Sequence, residues 1–227
     1  SHDIEVAAGG GILRSYGSAT TSFIGAIRNA SGVASANLRH TDGGTQIFSG
    51  DGSAFQGTYT NARGIAYFDS ENWSGTNIVN VDGTELRFGF GALMHVNSIT
   101  TDRDLHIEAG TVLDVVSGNV TAAPGTATQN FWIQNAGVLT SSSGTLTFDF
   151  QTPFSTTGAE DQSVRVLIED YDGFTPLQVV KNGPGGVNNF DQANTYSGGT
   201  IINAGRISVA NVNALGSGPL TVSSGGQ

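Results

Sequence analysis

Between Asn194 and Val222 the chain alternates short β-branched runs with glycine and asparagine. Asn194-Thr-Tyr-Ser-Gly-Gly-Thr-Ile-Ile-Asn-Ala-Gly-Arg-Ile-Ser-Val209 leads into Asn211-Val-Asn-Ala-Leu-Gly-Ser-Gly-Pro-Leu-Thr-Val222. Neither run suits a hairpin of ordinary register, whereas both suit successive walls of a coil. The same punctuation recurs upstream, so the segment reads as one unit of a repeat.

A short tag carries the repeat: a polar residue, a small residue, glycine, then aliphatic or β-branched residues. Its clearest copies are Asn203-Ala-Gly-Arg-Ile207, Asn135-Ala-Gly-Val-Leu139, Glu108-Ala-Gly-Thr-Val112 and Val81-Asp-Gly-Thr-Glu-Leu86. Looser copies are Asn61-Ala-Arg-Gly-Ile65, Asn29-Ala-Ser-Gly-Val33 and Ala8-Gly-Gly-Gly-Ile12. The tag glycines are Gly11, Gly32, Gly64, Gly83, Gly110, Gly137 and Gly205. Apart from the last interval, which has room for three turns and an insertion, they are separated by steps of roughly 20 to 30 residues, the range of solenoid repeats. A longer self-match places Asp42–Ala62 over Pro184–Ala204 at one constant offset.

The runs between tags, such as Gly64-Ile-Ala-Tyr-Phe68 and Asn77-Ile-Val-Asn-Val81, alternate apolar with polar positions. That period is the mark of a half-buried strand. Glycine and asparagine at the run ends tolerate the left-handed backbone that tight corners need. Three walls of ~5 residues plus corners make a rung in the low twenties, so the expected fold is an all-β, right-handed parallel β-helix of about nine or ten rungs. Residues 1–227 then form one β-helical segment. An antiparallel sandwich would want frequent Asn-Gly or Asp-Gly turns, and Asp51-Gly52, Asp82-Gly83 and Asp172-Gly173 are too few to close one. Residues 121–128 and 153–162 lack alternation and are expected to be loop insertions leaving the coil.

Composition removes several functions. The chain has 227 residues, 33 glycines, no cysteine and a formal charge of −10; its cations are eight arginines and a lone lysine, Lys181. Such a balance gives no electrostatic footprint for nucleic acid or anionic lipid. No run approaches the ~20 apolar residues of a membrane helix, so direct membrane insertion of this segment is not expected. The absence of cysteine suits export in unfolded form. The opening Ser1-His2 points to a piece excised from a longer protein.

Residues 185–226 resemble the autotransporter-associated β-strand repeat of bacterial passenger domains. The resemblance is carried by Asn194-Thr-Tyr-Ser-Gly-Gly-Thr200, Asn203-Ala-Gly205 and Asn213-Ala-Leu-Gly216. It departs from the family pattern at Ala193, where glycine is usual, and at Ile207, where leucine is commoner. The resemblance covers about a fifth of the chain. It implies a β-helical stalk of Gram-negative type, translocated unfolded and folding outside the cell or at its surface. It says little about a ligand, because the repeat is a structural unit.

No catalytic constellation stands out. His40, His95 and His106 lack a second histidine or cysteine at ligand spacing, and His2 reads as a cloning remnant. Gly50-Asp-Gly-Ser-Ala54 and Ala214-Leu-Gly-Ser-Gly218 both miss the nucleophile elbow. Asp69-Ser-Glu71, Asp102-Arg-Asp104 and Glu169-Asp-Tyr-Asp172 put acids at period two, where carboxylates on one face cooperate in glycoside chemistry or hold calcium. A lyase also needs a base, for which the chain has the single Lys181. Solvated surface acid is the plainer reading, and no metal or other cofactor is expected. Trp73, Trp132, Tyr16 and Tyr171 lie beside polar residues or turns, and Trp73, Trp132 and Tyr171 are the candidate glycan-binding residues, their rings stacking on sugar faces. Phe148 and Phe150 are expected in the core. The sequence therefore points to a non-enzymatic stalk with a structural and adhesive role. Its expected partners are a host-cell or matrix glycan or protein and, end to end, a second copy. A polysaccharide-degrading enzyme and a ligand-free spacer are the alternatives.

Overall fold

From Leu38 to Ile202 inward-facing side chains repeat at one position of each coil, and this position defines the fold. In the computed structural model, which describes residues 2–80, 83, 85–122, 131–151 and 162–227, one column runs through Gly11, Leu38, Tyr59, Ile78, Ile99, Val120, Phe148, Lys181, Ile202 and Val222. Each member pairs with the next in a parallel ladder, so the chain stacks ten rungs. All pairings between strands among the described residues are parallel. The fold is all-β, a parallel β-helix, with no helix among the described residues. An isolated bridge between Tyr171 and Thr175 is antiparallel.

Each full rung has three walls. The first begins with Ile4–Val6 and Ile27–Asn29 and continues through the opening residues of Asn72–Asn80, Leu93–Thr101 and Val112–Ala122, then Val138–Thr140 and Leu167–Ile168. The second holds Gly11–Leu13, Ala36–His40, Gly57–Asn61, the closing residues of those three long strands, Thr145–Phe150, Gln178–Asn182, the opening of Thr200–Val209, and Leu220–Gly226. The third holds Thr20–Phe23, Thr45–Phe48, Ile65–Phe68, Glu85–Phe88, Asp104–Ile107, Phe131–Gln134, Gln162–Val164, Gly186–Phe190 and the end of Thr200–Val209.

The column is almost evenly spaced along the chain from Leu38 to Val120 and again from Lys181 to Val222. Its two longest steps, Val120 to Phe148 and Phe148 to Lys181, contain the expected insertions. Residues 123–128 and 153–161 of those insertions lie outside the described residues, whereas Thr121 and Ala122 end a second-wall strand and Gln162 opens a third-wall one.

The tag glycines mark corners, not one fixed position on the rung. Gly64 and Gly205 stand just before third-wall segments, while Gly110 and Gly137 stand just before first-wall ones. The long self-match is likewise out of structural register. Tyr59 shares its column with Ile202, so the match slips by one position on the second wall and puts buried Asn61 over exposed Asn203. On the third wall, Phe190 belongs to the column of Gln46, Ala66, Leu86, Leu105, Ile133 and Val164, two positions before that of Phe48.

The core is most ordered between the third and second walls. Phe23, Phe48, Phe68 and Phe88 occupy one inward column, their rings stacked at 5.3, 5.1 and 5.4 Å between centroids. Tyr59 and Trp73 meet Phe68 edge-on at 5.3 and 5.2 Å. Each such pair adds about 1 kcal/mol beyond the area it buries. Phe148 and Phe150 are also buried, as expected from the alternation.

Where the second wall turns into the third, the inward column is polar. His40 Nδ1 lies 2.9 Å from Asn61 Oδ1; Asn61 Nδ2 donates to Asn80 Oδ1 at 2.9 Å and to Gly64 O at 3.0 Å; Asn80 Nδ2 donates to Thr101 Oγ1 at 3.3 Å. These side chains satisfy a corner whose carbonyls have left the ladder, at φ +70° for Gly64, a conformation glycine adopts without steric cost.

Truncating Phe68→Ala is expected to destabilise the chain by about 3–5 kcal/mol, since a ring between two stacked neighbours is lost from a site that cannot collapse. Phe23→Ala, at the half-buried end of the stack, is expected to cost clearly less. Urea unfolding midpoints of the two variants check the order.

Candidate functional site

The first wall carries a hollow. Leu93, Val112 and Val138 face outward at one position on three successive rungs. Beside them the chain leaves the wall after Leu167–Ile168, and residues 169–173 rise to form a flank. Leu93, Val112, Val138 and Thr140 with Glu169, Asp170, Tyr171, Asp172 and Gly173 enclose a groove of about 320 Å³.

Hydrogen bonds hold the flank in shape. Thr140 Oγ1 donates to Glu169 O at 2.8 Å. Asp170 Oδ1 accepts from the Leu177 and Ser197 amides at 2.7 and 2.8 Å, and its Oδ2 from Ser197 Oγ at 2.6 Å. Partial burial pushes the Asp170 carboxyl upward, but these bonds together outweigh it and hold the group below the ordinary carboxylate value. Asp172, at φ +55°, accepts from the Thr175 and Phe174 amides at 3.0 Å each, and those bonds lower its carboxyl too. Glu169 makes no side-chain hydrogen bond or ion pair among the described residues.

The three candidate rings do not form one row. Tyr171 lines the groove. Trp73 is fully buried among Phe48, Phe55 and Phe68, and its Nε1 donates to Ser70 Oγ at 2.8 Å. The expectation of an exposed Trp73 is therefore corrected. Its strand spans two walls, and at the corner the inward positions fall at 73, 76, 78 and 80, so alternation counted from the second wall assigns Trp73 the wrong face. Gly52 makes room for its indole: a Cβ there would stand 2.4 Å from Cδ2 of the ring. Trp132 does lie on an outer face, that of the third wall, half-buried beneath the Arg165 guanidinium at 5.2 Å from the ring centroid. Tyr16 is exposed and accepts a hydrogen bond from Arg14.

The third wall's outer face carries a charged ladder that sequence reasoning missed in part. Glu85 is in register with Asp104, and Arg87 with His106. Arg87 pairs with Glu85, His106 Nε2 lies 3.5 Å from Glu85 Oε1, and Gln134 and Asn135 hold the imidazole at 3.0 and 3.2 Å. Burial raises the Asp104 carboxyl against the lowering bond from the Trp132 amide, and the Glu85 charge raises it further. The sign of this ladder in the sequence is an equal spacing, Glu85 to Asp104 and Arg87 to His106, which becomes visible once the rung register is known.

The remaining candidates make local pairs. Asp102 pairs with Arg103 at 3.1 Å. Asp69 accepts from Ser49, and Ser53 folds back onto Asp51. His95 Nδ1 meets Asp114 Oδ2 at 2.8 Å on the first wall, and Asp114 Oδ1 accepts from the Ser142 amide. Among the described residues no group of three histidine, cysteine or acidic side chains is placed to hold a metal ion. Lys181 points inward in the rung column; its ammonium donates to the carbonyls of Asn182 and Gly183 and lies 5.5 Å from the Phe150 ring centroid. Buried there, it cannot serve as a base at an outer face. No family model, curated protein or solved structure matches the chain.

Two titrations are expected to be visible in stability. Asn61 gives its amide to Asn80 and Gly64, so its oxygen faces His40, whose Nδ1 carries the proton while Nε2 is buried without a hydrogen-bond partner among the described residues. Burial lowers the His40 pKa. The unfolded chain then takes up this proton first, and stability falls as pH drops below about 6.5. The expected loss is roughly 1 kcal/mol per pH unit until the folded-state value is passed. His40→Asn, which continues the amide ladder, is expected to flatten that part of the urea-midpoint profile.

Burial also lowers the Lys181 pKa to about 8. The unfolded chain holds that proton more tightly, so stability is expected to rise between about pH 8 and 10. Lys181→Met is expected to be at least as stable as the parent at pH 7, by up to about 3 kcal/mol, and to lose the alkaline rise. Midpoints at pH 7, 8, 9 and 10 check this.

Proposed function

We propose that the chain is a non-enzymatic passenger segment, surface-displayed or secreted, whose β-helix is a stalk that presents loops for attachment to cell-surface or matrix glycans. One observation carries the reading: ten rungs are joined in parallel through one continuous column of partners. At ~4.8 Å per rung that makes a rod of about 45 Å, stiff because each layer's backbone groups are held by the next. The resemblance of residues 185–226 to the autotransporter-associated repeat supports the extracellular bacterial setting. The pinned 169–173 flank supports the attachment role, being a shaped feature on an otherwise regular wall.

A second reading, a polysaccharide-degrading enzyme on the same scaffold, is favoured by Asp104, a half-buried carboxyl raised beside Glu85 and thus suited to donate a proton. The structural counterpart is strong, since Glu85 is engaged by Arg87 and His106 by two amides.

The deciding experiment exposes the purified chain to a glycan array, immobilised matrix and host-cell surfaces, with polysaccharide turnover followed in parallel. Attachment without turnover is expected. Turnover that Asp104→Asn abolishes would give the enzyme reading precedence. A folded chain blank on every surface would leave only a ligand-free spacer.

A further inference from the structure

We infer that the groove between the first wall and the 169–173 flank binds amino-sugar units of a cationic glycan. The inference deepens the adhesive reading and rests on it.

The floor comes first. On the second wall of the same rungs one outward column is polar, that of Asn77, Ser98, Asn119 and Thr147. On the first wall the corresponding outward positions are Leu93, Val112 and Val138, with Leu167 next in register. Three rungs make this aliphatic strip about 10 Å long. Apolar area left in water forgoes about 25 cal/mol per Å², so a strip lying open beside a shaped flank has a reason to be covered by a ligand with an apolar face.

The flank supplies the complementary chemistry. Glu169, Asp170 and Asp172 line the groove, and among the described residues its lining holds no lysine, arginine or histidine. The oxygens of Asp170 are taken up by Leu177 and Ser197, and Oδ1 of Asp172 accepts from the Phe174 and Thr175 amides, so Glu169 is the carboxylate left to meet a ligand directly and Asp172 adds its charge beside it. A carboxylate offers acceptors and negative charge only. Tyr171, held by its bridge to Thr175, adds a ring. The occupant must therefore combine hydrogen-bond donors and positive charge with a flat C–H surface. A pyranose bearing a protonated amine has all three: its C–H face lies on the aliphatic strip or Tyr171, and its ammonium and hydroxyls donate to Glu169 beside the charge of Asp172. An acidic glycan would set its own carboxylates against these two.

A basic peptide shares the charge but is the poorer fit. Extended peptides are commonly held by a free strand edge, and Leu93–Thr101 and Val112–Ala122 are each paired on both sides. The floor thus offers side chains but no backbone groups. Its volume of about 320 Å³ is at the small end of ligand sites, which suits a short stretch of glycan.

Isothermal titration of the full chain with a fully deacetylated glucosamine oligomer tests this, run beside the N-acetylated oligomer, polygalacturonate and a lysine-leucine peptide. Binding of the glucosamine oligomer is expected. It should weaken about tenfold for the N-acetylated oligomer and for Glu169→Gln, in line with one charge-assisted bond, and should also weaken in high salt. Val112→Lys, which puts a cation into the floor, is expected to abolish it, while Asp3→Asn at the far end of the rod leaves it unchanged. Thermal melts confirm that each variant is folded. The inference is overturned if the folded parent ignores the glucosamine oligomer, if Glu169→Gln and Val112→Lys bind it as the parent does, or if only the peptide binds. In each of those cases attachment of the parent to glycan or cell surfaces would keep the adhesive reading standing, so the two failures are distinguishable.

Discussion

Parallel pairing of each wall with the wall one rung away is the constraint on which everything else depends. It fixes which residues face inward. Because the side-chain period is two, any rung that slipped by a single position would turn its buried set toward water. The aromatic column from Phe23 to Phe88 makes such a slip expensive: four rings stacked one above another stay in contact only while their strands keep register. Side-chain packing and the backbone ladder thus reinforce one another, and the core is a consequence of the register as much as its cause.

Corners are where the ladder loses hold and polar side chains enter. His40, Asn61, Asn80 and Thr101 bring hydrogen-bonding groups into the interior at one edge of the coil, each joined to the next. A chain of this kind adds directionality that apolar packing lacks, and it makes incomplete satisfaction costly. His40 is its end member, where the amide ladder gives way to a residue that titrates and whose Nε2 has no partner among the described residues. Lys181 is a related case. A cation in an apolar column is tolerated because corner carbonyls receive its ammonium, but burial weakens its hold on the proton.

The fold class was legible because its cause is local: alternation makes half-buried strands, and glycine or asparagine at their ends makes corners. Rung phase was not, because all three corners use the same small vocabulary, so Gly64 and Gly205 look like Gly110 and Gly137 while serving different walls. Trp73 shows the same difficulty in one side chain, since alternation resets at a corner inside a single strand. Of the candidate site, Tyr171 was visible from its turn-like neighbours. Its partners Leu93, Val112 and Val138 were not, as they lie far off in sequence and meet Tyr171 only through the stacking of rungs. The pairing of Glu85 with Asp104 was hidden for the same reason.

A stack of this kind separates stability from function by rung length. In the short rungs between Leu38 and Val120 nearly every position is a wall or a tight corner, and outward side chains either pair with their neighbours, as Arg87 does with Glu85, or supply flat surface, as Leu93 and Val112 do. Extra chain costs little in loop-closure entropy, because that cost grows only with the logarithm of length. The long step between Phe148 and Lys181 uses this freedom. Part of it, residues 169–175, turns back on itself and ties Asp170 and Asp172 to amides of its own turn and of Leu177 and Ser197. Those bonds set the flank against a wall that the rungs below hold straight. Shape at the groove therefore comes from two sources with different tolerances to change: a floor whose positions the register dictates, and a flank free to vary without disturbing the rungs.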